Sequence, residues 1–324
     1  MNVLVTGGAG YVGSHTCKEL SKSGFKPIVF DSLVRGHESA VKWGPLVKGD
    51  ILDTVFLSKC LKSHKIEAVL HFAAFAYVGE SVENPEIYYR NNVSGTLSVL
   101  SAMKDAGVRK IVFSSTCAVY GIPEFLPLDE NHRRVPVNPY GDSKLAVEKM
   151  LEQFSIAYGI ESVALRYFNA AGTDAEGDIG ENHTPETHLI PLALDAALGK
   201  HPSLTVFGDD YDTRDGTCIR DYIHVTDLAV AHLLALRTIG RNGCFKAYNL
   251  GSGNGFSVSE VIACAEHVTG RKVPVVVGDR RIGDPPILVA GSSKARAELG
   301  WEPKFSDLNN IVRTAYLWAK TSIE

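Results

Sequence analysis

Tyr140 and Lys144 stand four residues apart in the run Y-G-D-S-K. On a helix, positions i and i+4 lie one above the other on the same face. That pairing holds an ammonium beside a phenol and favours the phenolate. A phenol titrates near pH 10, so use as a base near pH 7 requires a drop of about three pH units, worth roughly 4 kcal/mol. One cation ~5 Å away at an effective dielectric of ~20 supplies roughly 3 kcal/mol of it. The chemistry this predicts is general acid/base work by Tyr140 on a hydroxyl that is being oxidised, with Lys144 tuning it. Upstream, the phrase S-S-T-C-A-V-Y-G adds Thr116, whose hydroxyl can bond the same substrate oxygen.

An oxidation needs an electron acceptor, and the start of the chain offers a place for one. The loop Gly7-Gly8-Ala9-Gly10-Tyr11-Val12-Gly13 contains both G-x-x-G-x-x-G and G-x-G-x-x-G. Glycines there let the backbone turn tightly and approach a pyrophosphate, which then sits on a helix N-terminus. Asp31 closes the second β-rich run, where a carboxylate bonds the adenosine ribose and repels a 2′-phosphate. NAD is therefore expected rather than NADP, although Arg35 lies close by. Asp50, after the third run, is placed to reach the adenine amino group.

The elements that must position these residues alternate regularly. Strands are expected at Val3–Thr6, Lys26–Phe30, Leu46–Gly49, Ala68–Phe72, Lys110–Ser114 and Ser162–Tyr167, with a helix near Val12–Ser23. Strands separated by helices imply right-handed crossovers and a doubly wound parallel sheet, an α/β fold of Rossmann type. Ligands of such sheets gather at the carboxyl ends of the strands, where Asp31, Asp50, Thr116 and Asn169 all fall. After Asn169 the texture changes, and Gly172–Pro191 reads as a loop region crossing to another layer. Two further strand–helix units are expected, Asp221–Val225 with Leu228–Arg237, and Ala247–Leu250 with Val258–Thr269. The expected organisation is an NAD-binding domain over 1–170 and a smaller α/β substrate domain over 171–324, with about 221–250 returning to the first. Met103 and Trp43 read as core.

Composition narrows the class. The chain has 324 residues, 45% hydrophobic, with a net charge of −4, which gives no electrostatic footprint for nucleic acid. No apolar run approaches a membrane span. Met1-Asn2 leads straight into the first strand, so a cytoplasmic protein is expected. The six cysteines (Cys17, Cys60, Cys117, Cys218, Cys244, Cys264) are far apart and read as reduced thiols. His183 and His188 flank Glu186 in a loop, but neither the spacing nor a helix supports metal ligation, and no metal is expected.

Together these residues resemble the extended short-chain dehydrogenase/reductase family, and within it the nucleotide-sugar 4-epimerases, over essentially the whole length. The resemblance is carried by V-L-V-T-G-G-A-G-Y-V-G-S-H-T, H-F-A-A, V-G-E-S-V, N-N-V-S-G-T, Y-G-D-S-K, L-R-Y-F-N, D-G-T-C-I-R-D-Y-I-H-V-x-D-L, Y-N-L-G-S-G and R-R-I-G-D-P. It implies reversible 4-epimerisation of UDP-glucose and UDP-galactose through a transient 4-keto sugar, with no net redox. By the resemblance Tyr140 is the base, Lys144 tunes it, and Thr116 assists at the sugar 4-hydroxyl. Gly7, Gly10, Tyr11, Val12, Gly13, Asp31, Asp50, Ile51, Phe72, Ala73, Ala74, Asn91, Ser114, Tyr140, Lys144 and Tyr167 would hold NAD. Asn169, His188, Leu189, Arg220, Arg281, Asp284 and Leu288 would join Thr116 and Tyr140 around the UDP-sugar. The amphipathic stretches Asn91–Ala106 and Asp142–Tyr158 would pair with their twins in a homodimer.

The chain departs from the family pattern in four places. Serine is common where Thr116 stands, a lysine over the cofactor phosphates where Ala76 stands, and asparagine where His188 stands. Leu288 replaces a tyrosine that walls off the sugar 2-position in narrow-specificity members, so 2-acetamido sugars are expected to fit. The F-A-Y loop and the S-S-T-C run also resemble epimerases of UDP-xylose and UDP-arabinose. Two other readings compete. A nucleotide-sugar 4,6-dehydratase needs an acid/base pair directly after Thr116, where Cys117-Ala118 stand instead. A non-catalytic NAD sensor on the same fold would have no use for a tuned phenol.

Overall fold

In the computed structural model, which describes residues 1–240, 245–281 and 284–321, strands and helices alternate as the sequence predicts. The first six strands are β1 (Asn2–Thr6), β2 (Lys26–Asp31), β3 (Leu46–Lys48), β4 (Ala68–His71), β5 (Lys110–Thr116) and β6 (Glu161–Tyr167). Then come β7 (Asn169–Ala171), β8 (Leu204–Phe207), β9 (Ile219–His224), β10 (Phe245–Leu250), β11 (Gly255–Ser257), β12 (Val275–Gly278) and β13 (Ile287–Leu288). The helices of the first half are α1 (Tyr11–Lys22), α2 (Thr54–Ser63), α3 (Val78–Glu83), α4 (Pro85–Tyr88), α5 (Gly95–Ala106) and α6 (Pro139–Tyr158). Those of the second half are α7 (Leu189–Ala197), α8 (Val225–Thr238), α9 (Val258–Thr269), α10 (Ser293–Leu299) and α11 (Leu308–Thr321).

Seven strands form the main sheet in the order β10-β6-β5-β4-β1-β2-β3, every pair parallel. Helices cover both faces, so the inner strands have no solvent side. Val3-Leu4-Val5 and Ile111-Val112 accordingly run as uninterrupted apolar residues, wholly buried. One face packs Cys17 and Leu20 of α1 and Leu228 and Leu236 of α8. The other packs Leu57 and Leu61 of α2, Val99 and Met103 of α5, and Val147 and Leu151 of α6. The order turns at β1, whose neighbours are β2 and β4, and a crevice opens beyond the carboxyl ends there.

A second layer surrounds β9, which pairs with β7, β11 and β13, and beside it lies the pair β8–β12. Its core is built from α7, α9 and α11, with Ile190, Leu194, Val261, Ile311 and Val312 at its centre. α9 begins with a capping box: Ser257 accepts from the Glu260 N–H and Glu260 accepts from the Ser257 N–H. Between these pieces the chain returns to the first sheet, since β10 pairs with β6 and α8 packs along α1.

The structure differs from the expectations at four points. Asp31 is the last residue of β2 rather than the first beyond it. β5 runs two residues further than expected, through Thr116. The expected helix from Asn91 is interrupted, because Tyr89–Ser94 forms a π-helical stretch and α5 starts only at Gly95. That wider turn accommodates the buried Asn92, a use often made of such bulges near functional sites. Finally, the crossing segment ends at His188, not Pro191, since α7 is already helical from Leu189. Met103 is fully buried and Trp43 packs half-buried on the core. The five cysteines among the described residues are unpaired, and Cys244 lies outside those residues. No helix among the described residues is long and apolar enough to cross a membrane.

Candidate active site

The crevice is one cleft of about 1840 Å³, and every candidate site residue named from the sequence lines it. Gly7 and Gly13 form its floor at the end of β1. Gly7 has φ +71°, and a Cβ there would fall 2.5 Å from the Ala73 nitrogen; on Gly13 it would fall 2.2 Å from the Gly7 carbonyl oxygen. Only glycine allows so close a cradle. α1 opens directly above it with no side chain capping its first N–H groups, which leaves them to an anion. Asp31 accepts from the Ala9 N–H at 3.0 Å and the Leu33 N–H at 2.8 Å, which fixes its carboxylate at the cleft. Burial pushes that carboxyl up, against those two bonds. Arg35 is turned to Glu80 at 2.6 Å and lies over the Tyr77 ring, so it is engaged away from Asp31. The cradle, the bare helix start and the strand-end carboxylate fit NAD.

Asp50 is less committed: its Oδ1 accepts from the Leu52 N–H at 2.9 Å. Asn92, a residue the sequence reading missed, closes this side of the cleft. Its Oδ1 accepts from the Phe75 N–H at 2.8 Å, and its amide donates to the Phe75 carbonyl and the Ser143 hydroxyl, each at 3.0 Å. The loop carrying Ala73, Ala74 and Ala76 is thereby fixed to α6. His71, also missed, lies beneath the cradle between Thr6 (2.6 Å) and Thr96 (2.9 Å), and burial pushes it down to about 3. It is a neutral strut. Neither residue could be singled out from spacing, because the partners of each are far away in the chain.

Tyr140 and Lys144 sit in the first turns of α6. That helix starts where it does because the Asn138 side chain accepts from the Gly141 N–H at 2.9 Å and Pro139 occupies the first turn. The Lys144 ammonium is 5.9 Å from the Tyr140 ring centre and 4.8 Å from that of Phe113, and it donates to the Ser114 carbonyl at 2.9 Å. Tyr167 bonds the Ser114 hydroxyl at 2.5 Å. One turn beyond Lys144, the buried Glu148 accepts from Arg166 at 2.6 and 2.8 Å and from Ser115 at 2.6 Å. This network locks the end of β5 to α6 and so sets Thr116 against Tyr140.

In the protein alone, the lysine does not lower the phenol. Burial pushes Tyr140 well above its ordinary value, Tyr167 adds to this, and a hydrogen bond with Thr116 opposes it. Burial also pushes Lys144 down to about 7, with Glu148 opposing. The desolvation that makes the pair sensitive therefore outweighs the lysine's own field in the protein alone.

The far end of the cleft is polar. The Asn169 amide donates to the Asp221 carbonyl at 3.0 Å. Arg220 pairs with Asp284 at 2.7 Å, and Arg281 lies over the Phe207 ring at 4.1 Å. The motif around Arg281 includes Ile282 and Gly283, which lie outside the described residues. Leu288, on β13, sits opposite Arg220 in register and packs beside Val119 and Phe168. His188, at the start of α7, faces Glu181 at 2.5 Å and Glu186 at 3.4 Å, which push it up to about 10 against burial. Glu181 was not singled out from the sequence.

A doubly wound sheet with a glycine cradle and a Tyr–Lys helix defines a dinucleotide-dependent enzyme fold. Residues 3–251 match the model of the NAD dependent epimerase/dehydratase family, and the chain belongs to that family. A UDP-glucose 4-epimerase from Rhizobium leguminosarum bv. trifolii is 54% identical over 98% of this chain and 96% of its own. The crystal structure of UDP-glucose 4-epimerase from Brucella ovis in complex with NAD is 52% identical, covers 98% of each chain and superimposes with a TM-score of 0.96. That of the Bifidobacterium longum enzyme in complex with NAD+ and UDP is 38% identical over 100% of this chain and 99% of its own, with a TM-score of 0.95.

Proposed function

We propose that the chain is an NAD-dependent UDP-glucose 4-epimerase, interconverting UDP-glucose and UDP-galactose. The observation that carries the reading is that Thr116, Tyr140 and Lys144 meet in the cleft that also holds the glycine cradle. Tyr140 takes the proton of the sugar 4-hydroxyl and later returns it, and Thr116 holds that oxygen in line. Lys144 supports the phenolate, and Glu148, one turn away, favours its charged form against burial. Bound NAD supplies the acceptor and donor of the C4 hydride and a positive charge beside the phenol. Gly7, Gly10, Tyr11, Val12 and Gly13 cradle it, Asp31 and Asp50 with Ile51 hold its adenosine, and Phe72, Ala73, Ala74, Asn91, Ser114 and Tyr167 line its nicotinamide half.

Inversion requires the sugar to turn over while the nucleotide stays put, so binding energy belongs on the nucleotide. Arg220 and Arg281 grip the diphosphate, Asp284 holds the uridine ribose, and Asn169, His188 and Leu189 line the UDP-sugar beside them, whereas Leu288 leaves the sugar pocket loosely lined. Cys117, pushed up by burial to about 12, and Ala118 offer no acid for a 5,6-elimination, which argues against a dehydratase. In this reading residues 1–170 bind NAD and 171–324 the UDP-sugar, with 221–250 serving the first unit. The enzyme works in the cytoplasm as a homodimer paired through α5 and α6, whose outer faces expose Leu97, Ile156 and Tyr158. A single monomeric mass in solution would refute the pairing.

The test is to incubate the purified protein with UDP-galactose, without added cofactor, and to chromatograph the sugar nucleotides. Conversion to UDP-glucose supports both the reaction and a co-purifying NAD. No conversion after NAD is supplied overturns the reading.

A further inference from the structure

The loop between β7 and α7 gathers four metal-ligating side chains, of which the chemistry above uses only His188. One ligand atom from each of Glu181, His183, Glu186 and His188 lies within 4.8 Å of all the others. We propose that these four residues form a divalent-cation site on the wall of the cleft, and that the ion it takes is zinc.

The geometry is that of a tetrahedral shell. With metal–ligand bonds of about 2.0–2.1 Å, neighbouring ligand atoms of a tetrahedron are roughly 3.3–3.4 Å apart. His183 Nδ1 stands 3.2 Å from Glu181 and 3.6 Å from Glu186, and His188 Nδ1 stands 3.4 Å from Glu186 and 2.5 Å from Glu181. The His183–Glu181 and His188–Glu186 edges already lie close to the required length, and Glu186 offers Oε2 toward His183 and Oε1 toward His188. A second observation concerns His183: its Nδ1 is buried and makes no well-directed hydrogen bond, although it stands at ion-pair distance from two carboxylates. A nitrogen aimed at carboxylates but off the hydrogen-bond line is disposed as a ligand. The donor set selects the ion, because two imidazoles and two carboxylates suit zinc, whereas calcium and magnesium take six or more oxygens.

The shell is also held from outside. The Trp318 indole donates to the Glu181 carbonyl at 2.9 Å, the Thr187 and His188 N–H groups donate to Glu186 at 2.7 and 2.9 Å, and the His183 ring packs edge-on to Tyr11 and Tyr77. Such outer contacts orient ligands before an ion arrives. The ion would neutralise two largely buried carboxylates and fasten the loop to the cradle residue Tyr11. The other acidic group, Asp174, Glu176 and Asp178, is different: the Lys18 ammonium already sits on all three at 2.6–2.8 Å.

The experiment uses the full chain, treated with a chelator, exchanged into metal-free buffer, and titrated with ZnCl2 against a chromophoric chelator. Metal retained after gel filtration is counted by mass spectrometry. One zinc per chain is expected, lost in His183→Asn and in Glu186→Gln and kept in Asp174→Asn, with circular dichroism verifying that each variant folds. Cobalt(II) added to the unmutated protein should give the intense visible absorption of a four-coordinate site, a readout that needs no variant. No zinc retained by the native chain, or zinc retained undiminished by both ligand variants, overturns the proposal.

Discussion

Replacing Lys144 with methionine should stabilise the cofactor-free protein, although it should abolish the chemistry. The ammonium is buried against Phe113 and Tyr140, and burial lowers its pKa from 10.5 to about 7. Since the folded value lies below the unfolded one, the unfolded chain binds more protons between about pH 7 and 10.5. The group's contribution therefore rises with pH across that window and is lost as pH falls through 7. At about 1.4 kcal/mol per pH unit, the 3.5-unit interval is worth about 5 kcal/mol. Methionine removes this penalty but leaves the Ser114 carbonyl without its lysine donor, an offset of about 1–2 kcal/mol. A net gain of about 3 kcal/mol is expected at pH 7, vanishing at about pH 9.5 and turning into a loss of about 1–2 kcal/mol near pH 10.5. The assay is urea unfolding of NAD-stripped wild type and K144M at pH 7.0 and 9.5, comparing the two differences so that other titrations cancel. A variant less stable at pH 7, or a difference that does not change with pH, would refute the electrostatic account.

The remaining predictions concern the cofactor, the base and the sugar. Asp31→Ala removes the acceptor fixed by Ala9 and Leu33 and should weaken NAD binding about 10- to 100-fold; an unchanged dissociation constant by fluorescence titration counts against its role. Tyr140→Phe should lower kcat by about 10²–10⁴ while leaving UDP affinity within about threefold, and a variant with near-normal turnover removes Tyr140 from the mechanism. Leu288→Tyr should abolish conversion of UDP-N-acetylglucosamine while sparing UDP-glucose. Equal rejection of the acetylated substrate by wild type and variant would sink the idea that leucine opens the 2-position.

What the sequence made legible follows from the range of the interactions concerned. The glycine loop, Asp31, Thr116 and the Tyr140–Lys144 spacing are local patterns attached to strand ends or a helix face, and parallel topology then brings strand ends to one edge. Asn92 and His71 are different: their partners, Phe75, Ser143, Thr6 and Thr96, are separated from them by up to 65 residues, so no local spacing exposes them. The four-ligand loop was illegible for another reason. His183, Glu186 and His188 are visible as neighbours, but Glu181 joins them in a backbone held from far along the chain, where Trp318, on the last helix, donates to its carbonyl. The π-helical stretch was likewise invisible, since apolar periodicity through Asn91–Ala106 suits an unbroken helix equally well.

The Tyr140–Lys144 pair shows what spacing leaves out. Spacing told correctly that an ammonium would stand beside a phenol, and Coulomb's law then assigned the benefit to the phenol. Burial acts on both partners, however, and disfavours the charged form of each, so in the protein alone the lysine loses charge more readily than the tyrosine gains it. The pair is positioned by groups with no part in the reaction: Glu148 accepts from Arg166, Ser115 and Arg134, and Arg166 also donates to the Tyr120 hydroxyl, which fixes the end of β5. Removing Arg166 would leave Glu148 as a buried, half-paired carboxylate and cost about 3–5 kcal/mol. The cleft keeps, on a firmly held helix, two groups whose protonation a bound charge can shift.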